Sequence, residues 1–274
     1  VLRERGIHIV GPEDGALTGG DSGPGRMSEP EQIVSAALAL VSRPRDLDGL
    51  TVLVSAGGTR EPIDPVRFIG NRSSGRQGLA IARAAADRGA HVTLVAAHLD
   101  ADLVPDPRLN VKTVGTAEEL GRAMDAASPG ADVVIMAAAV ADYSVATVSE
   151  RKIRKEGSAG HLSLDLVENR DIVAGLARAR RPDQIIVAFA AETVADDEEL
   201  VARARAKAAR KGVDLLAANA VGWTRGFEST ENEIVLVSGG GHVVGRASGS
   251  KTDTAHALLD AVVAARRGRL SRAG

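Results

Sequence analysis

The chain has 274 residues and a mass of 28.3 kDa, the size of one large α/β domain or of a domain with an appendage. Its 34 Lys and Arg against 36 Asp and Glu leave a formal net charge of −2, which excludes a global positive field for gripping nucleic acid, so any anion-binding surface is local. The absence of cysteine removes disulfide frameworks, thiolate zinc sites, iron–sulfur clusters and thiol nucleophiles together, and agrees with a reducing compartment.

Residues 7–10 read as a short strand close behind an abrupt start at Val1, which gives the expectation of a fragment whose upstream part is missing. Residues 11–27 are glycine- and proline-rich loop. Ser28 and Glu31 have the spacing of a capping box, with Pro30 at the second helical position, and a helix runs to about Val41. Residues 42–49 are polar, carry Pro44 and read as a linker, with a domain boundary near residue 46. From there short apolar runs alternate with longer periodic ones, the signature of βαβ units. Strands are predicted at 51–55, 91–96, 110–114, 132–137, 184–190 and 214–218. Helices are predicted at 75–88 (closed by Gly89), at 117–127, from 171, at 196–211 and from about 253. A hairpin spans 233–244 around Ser238-Gly239-Gly240-Gly241. The fold class is α/β: a Rossmann-like, doubly wound, mostly parallel sheet with a β-hairpin extension, binding ligands at the carboxyl ends of its strands. No window reaches the roughly 18 unbroken apolar residues of a membrane span, and no targeting pattern is present. The protein reads as cytoplasmic, with no membrane and no nucleic-acid partner.

The first strand ends in Ser55-Ala56-Gly57-Gly58-Thr59-Arg60, and the next helix does not start until about Ser74. That connection is far longer than the usual two to six residues of a βα loop. It carries Arg60, Arg67, Asn71 and Arg72. Gly57 and Gly58 let backbone N–H groups approach a phosphate, and the Ser73-Ser74-Gly75 helix start supplies a positive dipole end. A solvated loop would carry similar charges.

A second basic segment, Arg151-Lys152-Ile153-Arg154-Lys155, follows Ala137–Tyr143 after a buried strand. Its placement favours a polyanion such as a nucleoside triphosphate, with Asp142 left for a ribose hydroxyl or a metal ion. The 196–211 helix is acidic at its start and basic at its end, as the helix dipole favours, and Lys207 and Lys211 share one face. The six histidines have no metal-ligand spacing. A nicotinamide-dependent short-chain dehydrogenase is an alternative, because Ser74-Gly75-x-x-Gly78 opens an alanine-rich helix. Against it, strand 91–96 is followed by Ala97-His98 rather than an acidic residue for a ribose diol, and Thr147 stands four residues after Tyr143 where that family carries a lysine. A non-catalytic nucleotide-binding module is the third reading.

The run SAGGTREPIDPVRFIGNRSSGRQGLAIARAAADRGAHVTLV closely resembles the phosphopantothenoylcysteine synthetase domain of the bacterial bifunctional coenzyme A enzyme. AAAVADY with KIRK, ENRDIV (Glu168–Val173), VAFAAET (Val187–Thr193), the Lys207/Lys211 pair before Asp214–Asn219, and Gly226-Phe227-Glu228-Ser229 leading to Asn232 agree with it. The resemblance covers residues 49–274. Residues 5–42 are similar to the tail of the flavin-dependent decarboxylase domain that precedes the synthetase in the fused enzyme. The domains implied are thus 1–46, a decarboxylase remnant with linker, and 47–274, the ligase. The flavin site and catalytic histidine would lie upstream, so neither FMN nor decarboxylation is expected of this chain.

The resemblance implies CTP-driven ligation of 4′-phosphopantothenate to L-cysteine through an acyl-cytidylate, with release of pyrophosphate and CMP. By alignment Lys152 serves formation of the intermediate at the α-phosphate. Asn71 orients the acyl-cytidylate in the second half-reaction, and Arg67 serves that step and holds the pantothenoyl part. Phe189 corresponds to the ring at the cytosine pocket. Ala138, Ala139, Asp142, Asn169, Arg170, Asp171, Ile172, Lys207 and Lys211 map onto the nucleotide-binding segments, with Gly57, Gly58 and Ser74 beside them. Mg²⁺ is expected to bridge the phosphates, with Asp142 as its protein ligand. Arg170 replaces a proline common in the family, and Arg154 replaces a lysine. The family also implies a homodimer, with the 226–244 hairpin and the 60–73 loop at the interface, and higher assembly only where the full decarboxylase domain is present. All five aromatic residues lie in or beside these segments, which leaves the core aliphatic.

Overall fold

The computed structural model describes residues 7, 9–16, 22–41, 44–154, 161–222 and 231–273. The chain divides into two compact units, Val1–Arg45 and Asp46–Gly274. In the first, β1 (Glu13–Ala16) and β2 (Ser22–Arg26) pair as an antiparallel hairpin, and α1 (Pro30–Val41) follows. Two expectations are corrected here. Residues 7, 9 and 10 lie outside any strand, and pairing begins at Glu13, inside the stretch read as loop. A ladder is made by main-chain groups, so a glycine-rich hairpin leaves no side-chain alternation to read. The expected capping box does not form either. Ser28 is buried and donates to Glu13 Oε1 at 2.9 Å, while the Glu29 N–H is taken by Gln32 Oε1 at 2.9 Å.

The second unit holds β3 (Thr51–Gly57), β4 (Arg60–Pro62), β5 (Phe68–Gly70), α2 (Arg76–Asp87), β6 (His91–Ala97), β7 (Asn110–Val114), α3 (Ala117–Ala127) and β8 (Val133–Met136). It continues through β9 (Tyr143–Val145), β10 (Leu166–Glu168), α4 (Ile172–Ala179), β11 (Ile185–Glu192), α5 (Asp197–Lys211), β12 (Leu215–Ala220), β13 (Glu231–Ser238), β14 (Val243–Ser250) and α6 (Lys251–Ala273). The main sheet has the order β7-β6-β3-β8-β11-β12-β13-β14. Its first six strands run parallel, in the order 3-2-1-4-5-6 of a doubly wound fold, and β13 and β14 extend it as an antiparallel hairpin.

Strand β3 shows how the sheet is built. Both of its faces are covered, so it reads as a nearly continuous apolar run. Val52, Val54 and Ala56 join the cluster formed with α2 and α6, and Leu53 joins the opposite cluster with α3, α4 and α5. A Cβ on Gly78 would lie 2.5 Å from the Ala56 Cβ, so this glycine lets α2 pack directly on β3. Two small hairpins, β4–β5 and β9–β10, stand outside the sheet, in segments read as loop. Strands of three residues are too short to show a period.

Candidate functional site

Strand order reverses beside β3: α2, between β3 and β6, covers one face of the sheet, α3 and α4, which flank β8 in the chain, cover the other, and a crevice opens where the chains leave β3 and β8. The two chains stay paired past the sheet through an isolated bridge between Gly58 and Ala139. Ala139 N donates to Gly57 O at 2.8 Å, and Thr59 N donates to Ala139 O at 3.1 Å. Ala138 N donates to Ser55 Oγ at 3.1 Å, and Ala141 N to Thr59 Oγ1 at 3.0 Å. The N–H groups of Ala138 and Ala139 are therefore consumed within the chain. These residues can meet a ligand with their exposed faces and the Ala138 carbonyl, not as amide donors. A Cβ on Gly58 would lie 3.0 Å from Asn71 O, so glycine here lets the long loop sit close against the end of β3.

Two asparagines hold the floor of the crevice from either side. Asn71 Nδ2 donates to Val140 O at 2.9 Å, and Asn169 Nδ2 donates to Ala141 O at 2.9 Å. The Asn169 N–H also reaches Asp142 O at 2.8 Å. The Asp142 side chain itself is exposed to solvent.

Arg67 and the basic segment are brought together by a residue that the motif reading missed. Asp64 is 3% exposed; its Oδ1 accepts from Val66 N and Arg67 N at 2.8 Å each, and its Oδ2 accepts from Ile153 N at 3.1 Å. Arg67 donates in turn to Ile153 O at 2.9 Å. Lys152, one residue before, is thus fixed beside Arg67 with its side chain exposed. Burial alone would raise the Asp64 carboxyl, but the three N–H donors and the Arg67 charge hold it below the usual carboxylate range. Its sequence signal was the proline on either side, Pro62 and Pro65, which stiffen a turn around an acceptor.

At the carboxyl end of β11 the lysines are already in ion pairs. Lys207 Nζ lies 2.9 Å from Glu192 Oε1, Arg203 lies 3.5 Å from Oε2 of the same carboxylate, and Lys211 Nζ lies 2.6 Å from Asp171 Oδ2. Asp171 caps α4 by accepting from Ala174 N at 3.0 Å. Burial pushes its carboxyl up, yet the Lys211 ammonium and that N–H hold it below its ordinary value. Phe189 is half-buried on β11, one residue beyond the Ala188–Met136 pair and therefore level with the start of the crevice loop. Ile172 is buried in the core, which leaves only its main chain for a ligand. Arg170 turns away: its guanidinium pairs with Asp125 at 2.5 Å and lies over Gly121 on α3. The charge that replaces the family proline thus braces α3.

Ser74 and Gly75 end the long loop. Gly75 is the N-cap of α2 at φ 82° and has no side chain to cap it, and Ser74, buried at its mouth, accepts from Arg76 N through Oγ at 3.4 Å. The start of α2 packs closely on the carboxyl end of β3, where a Cβ on Gly75 would lie 3.2 Å from the backbone of Gly57, itself at φ 86°. Of the expected residues, Lys155, Trp223, Gly226, Phe227, Glu228 and Ser229 lie outside the described residues.

Among the described residues no cluster of three or more His, Cys, Asp or Glu could hold a metal ion, and no helix is long and apolar enough to cross a membrane.

Residues 47–265 match the family described as the DNA/pantothenate metabolism flavoprotein C-terminal domain. The chain is 48% identical over 271 residues to the coenzyme A biosynthesis bifunctional protein CoaBC of Mycobacterium bovis, covering 96% of this chain and 64% of that protein. It is 45% identical over 238 residues to its counterpart in Escherichia coli, covering 86% and 57%. The chain thus spans somewhat less than two thirds of these relatives. A crystal structure of the C-terminal domain of a CoaBC protein superposes with a TM-score of 0.64 at 29% identity, over 80% of this chain and 96% of that one. A Cab2 mutant in complex with phosphopantothenate-cysteine shares the fold, with a TM-score of 0.65 at 17% identity over 90% and 97%. With four fifths of its length inside the family match, this chain belongs to the DNA/pantothenate metabolism flavoprotein C-terminal domain family.

Proposed function

We propose that residues 47–274 form a CTP-dependent ligase that joins 4′-phosphopantothenate to L-cysteine, and that residues 1–46 are the tail of a decarboxylase domain with its linker. The observation that carries this reading is the crevice between β3 and β8, where hydrogen bonds gather Asn71, Arg67 and the Lys152 segment around one loop. The coenzyme A biosynthesis proteins to which the chain is similar support it, as does the Cab2 complex with phosphopantothenate-cysteine. CTP rather than ATP rests on likeness to the bacterial fused enzymes.

In the first half-reaction a substrate carboxylate oxygen bonds to the α-phosphorus and pyrophosphate leaves. Like-charge repulsion opposes that approach, and Lys152 is placed to offset it at the α-phosphate. Lys207 and Lys211 exchange Glu192 and Asp171 for the other phosphates. In the second half-reaction the cysteine nitrogen bonds to the acyl carbon, the bond to the cytidylate oxygen breaks, and CMP leaves with loss of a proton from nitrogen. Asn71 and Arg67 orient the acyl group for that attack, and Phe189 flanks the base. Asp142, whose side chain is exposed at the crevice, would hold a magnesium ion as a single carboxylate ligand. Such an ion supplies charge neutralisation at the phosphates. The chain acts as a cytoplasmic homodimer, its interface built on residues 60–73 and 226–244.

The test is direct. With phosphopantothenate, cysteine and each nucleoside triphosphate in turn, pyrophosphate is expected with CTP. Release with ATP alone would overturn the choice of nucleotide, and none with any triphosphate would overturn the ligase.

A further inference from the structure

On the β6 side of β3, behind Asn71, lies an open cavity of about 270 Å³ lined in part by Gly58, Arg60, Phe68, Asn71, Arg72 and His98. It belongs to the same end of the sheet as the crevice and shares Gly58 and Asn71 with it. Its volume is near the lower limit of small-molecule pockets, roughly 300 Å³, which suits an amino acid and is too small for a nucleoside triphosphate.

The lining is unbalanced in charge. It contains two guanidinium groups and no carboxylate. Arg76, Arg88, Arg108, Arg170 and Arg203 all sit in ion pairs, whereas Arg60 and Arg72 have no carboxylate partner among the described residues. Arg60 is held in place by the Phe68 ring, with its guanidinium carbon 4.6 Å from the ring centroid. His98, at φ 44°, closes the far wall. Its imidazole is kept below its ordinary range by burial first and by the Arg60 charge second, against the pull of Glu119 and a hydrogen bond to the Gly115 backbone. A neutral imidazole and the Asn71 carbonyl oxygen can accept hydrogen bonds from an ammonium group, and a planar guanidinium matches a carboxylate. Donors for a carboxylate, acceptors for an amine and an apolar ring between them are the complement of a small zwitterion.

We propose that this cavity is the pocket for the amino-acid substrate, with Arg60 and Arg72 taking the α-carboxylate of L-cysteine and Asn71 separating it from the acyl-cytidylate. The proposal rests on the ligase reading and assigns the substrate that the motifs leave unplaced. The same arginines could instead take the phosphate of phosphopantothenate, because both anions suit guanidinium.

The experiment compares cysteine with cysteamine, which keeps amine and thiol but lacks the carboxylate. It also compares phosphopantothenate with pantothenate, in the wild-type chain and in Arg60→Gln, Arg72→Gln and the double variant. Loss of a charge-assisted hydrogen bond should raise KM for cysteine roughly 10- to 100-fold and bring the kcat/KM ratio of cysteine to cysteamine toward one, with Arg60→Lys restoring part of the preference. Thermal melts and pyrophosphate release without cysteine establish that each variant is folded. A folded variant that still releases pyrophosphate and keeps the wild-type preference for cysteine overturns the proposal. Loss of discrimination against pantothenate instead overturns it in favour of a phosphate pocket. Failure of the wild type to release pyrophosphate is a different result, because it overturns the ligase reading itself.

Discussion

Asp64 ties two otherwise separate pieces of the site together, accepting from the β4–β5 turn with one oxygen and from Ile153 with the other. An amide in its place keeps one acceptor and loses the charge. Asp64→Asn is therefore expected to lower Tm at neutral pH and to reduce kcat more than it changes KM for CTP, since the backbone beside Lys152 loses its charged anchor at Ile153. The folded carboxyl lies below its unfolded value. Its stabilisation is thus present above the unfolded pKa and is lost as pH falls through the folded one. The Tm difference between wild type and variant should accordingly shrink below about pH 4, and a constant difference down to pH 2.5 would argue that the charge contributes nothing. The roles proposed for the neighbouring side chains separate by half-reaction. Lys152→Gln should abolish pyrophosphate release, whereas Asn71→Asp should release pyrophosphate and accumulate the acyl-cytidylate. Normal turnover by Asn71→Asp would show that the asparagine is misassigned.

At the level of elements, the end of β3 depends on a backbone that comes within contact of its neighbours. Gly57 has a positive φ, and a Cβ there would lie 1.7 Å from the Ala97 carbonyl oxygen of β6. Gly57→Ala must either break the β3–β6 pairing at its carboxyl end or shift the crevice loop. Left-handed strain and the clash together should cost on the order of 3 kcal/mol or more. Urea unfolding of the variant tests this, and a midpoint equal to the wild type would mean that the strand ends relax freely. The long elements were legible in the sequence because α2, α3 and α5 carry helical periods, α2 with Gly89 as its stop residue, and buried strands such as β3 read as apolar runs. The hairpins β1–β2, β4–β5 and β9–β10 were not legible, because their ladders rest on main-chain bonds in stretches too short or too glycine-rich to alternate. The site was legible in the same uneven way. Asn71 and Arg67 stood out by residue type in a long loop and Lys152 in a separate basic run, while Ser55, Thr59 and Glu192 resembled any polar residue at a strand end.

Across the whole second unit, the β4–β5 and β9–β10 hairpins carry Val66, Phe68, Tyr143, Leu166 and Val167 in exposed positions outside the main sheet. Such a concentration of exposed apolar side chains is what an interface buries, and it coincides in part with the 60–73 loop proposed to pair in the homodimer. Sedimentation velocity should give a dimer for the wild type and a monomer for the double variant Val66→Asp, Leu166→Asp. A wild-type monomer at tens of micromolar would exclude the proposed interface. The sequence by itself determined the order of the long strands and helices, the aliphatic core and the identity of the loops that carry charge, because periodicity, glycine positions and residue type are local properties. Only the tertiary structure decided that Asp64 joins the turn to the basic segment, that Arg170 braces α3, and that the amides of Ala138 and Ala139 are spent inside the chain. Those outcomes depend on which groups meet across tens of residues once the sheet is assembled. A buried donor or acceptor takes the partner that the fold brings to it, and no local pattern records that choice.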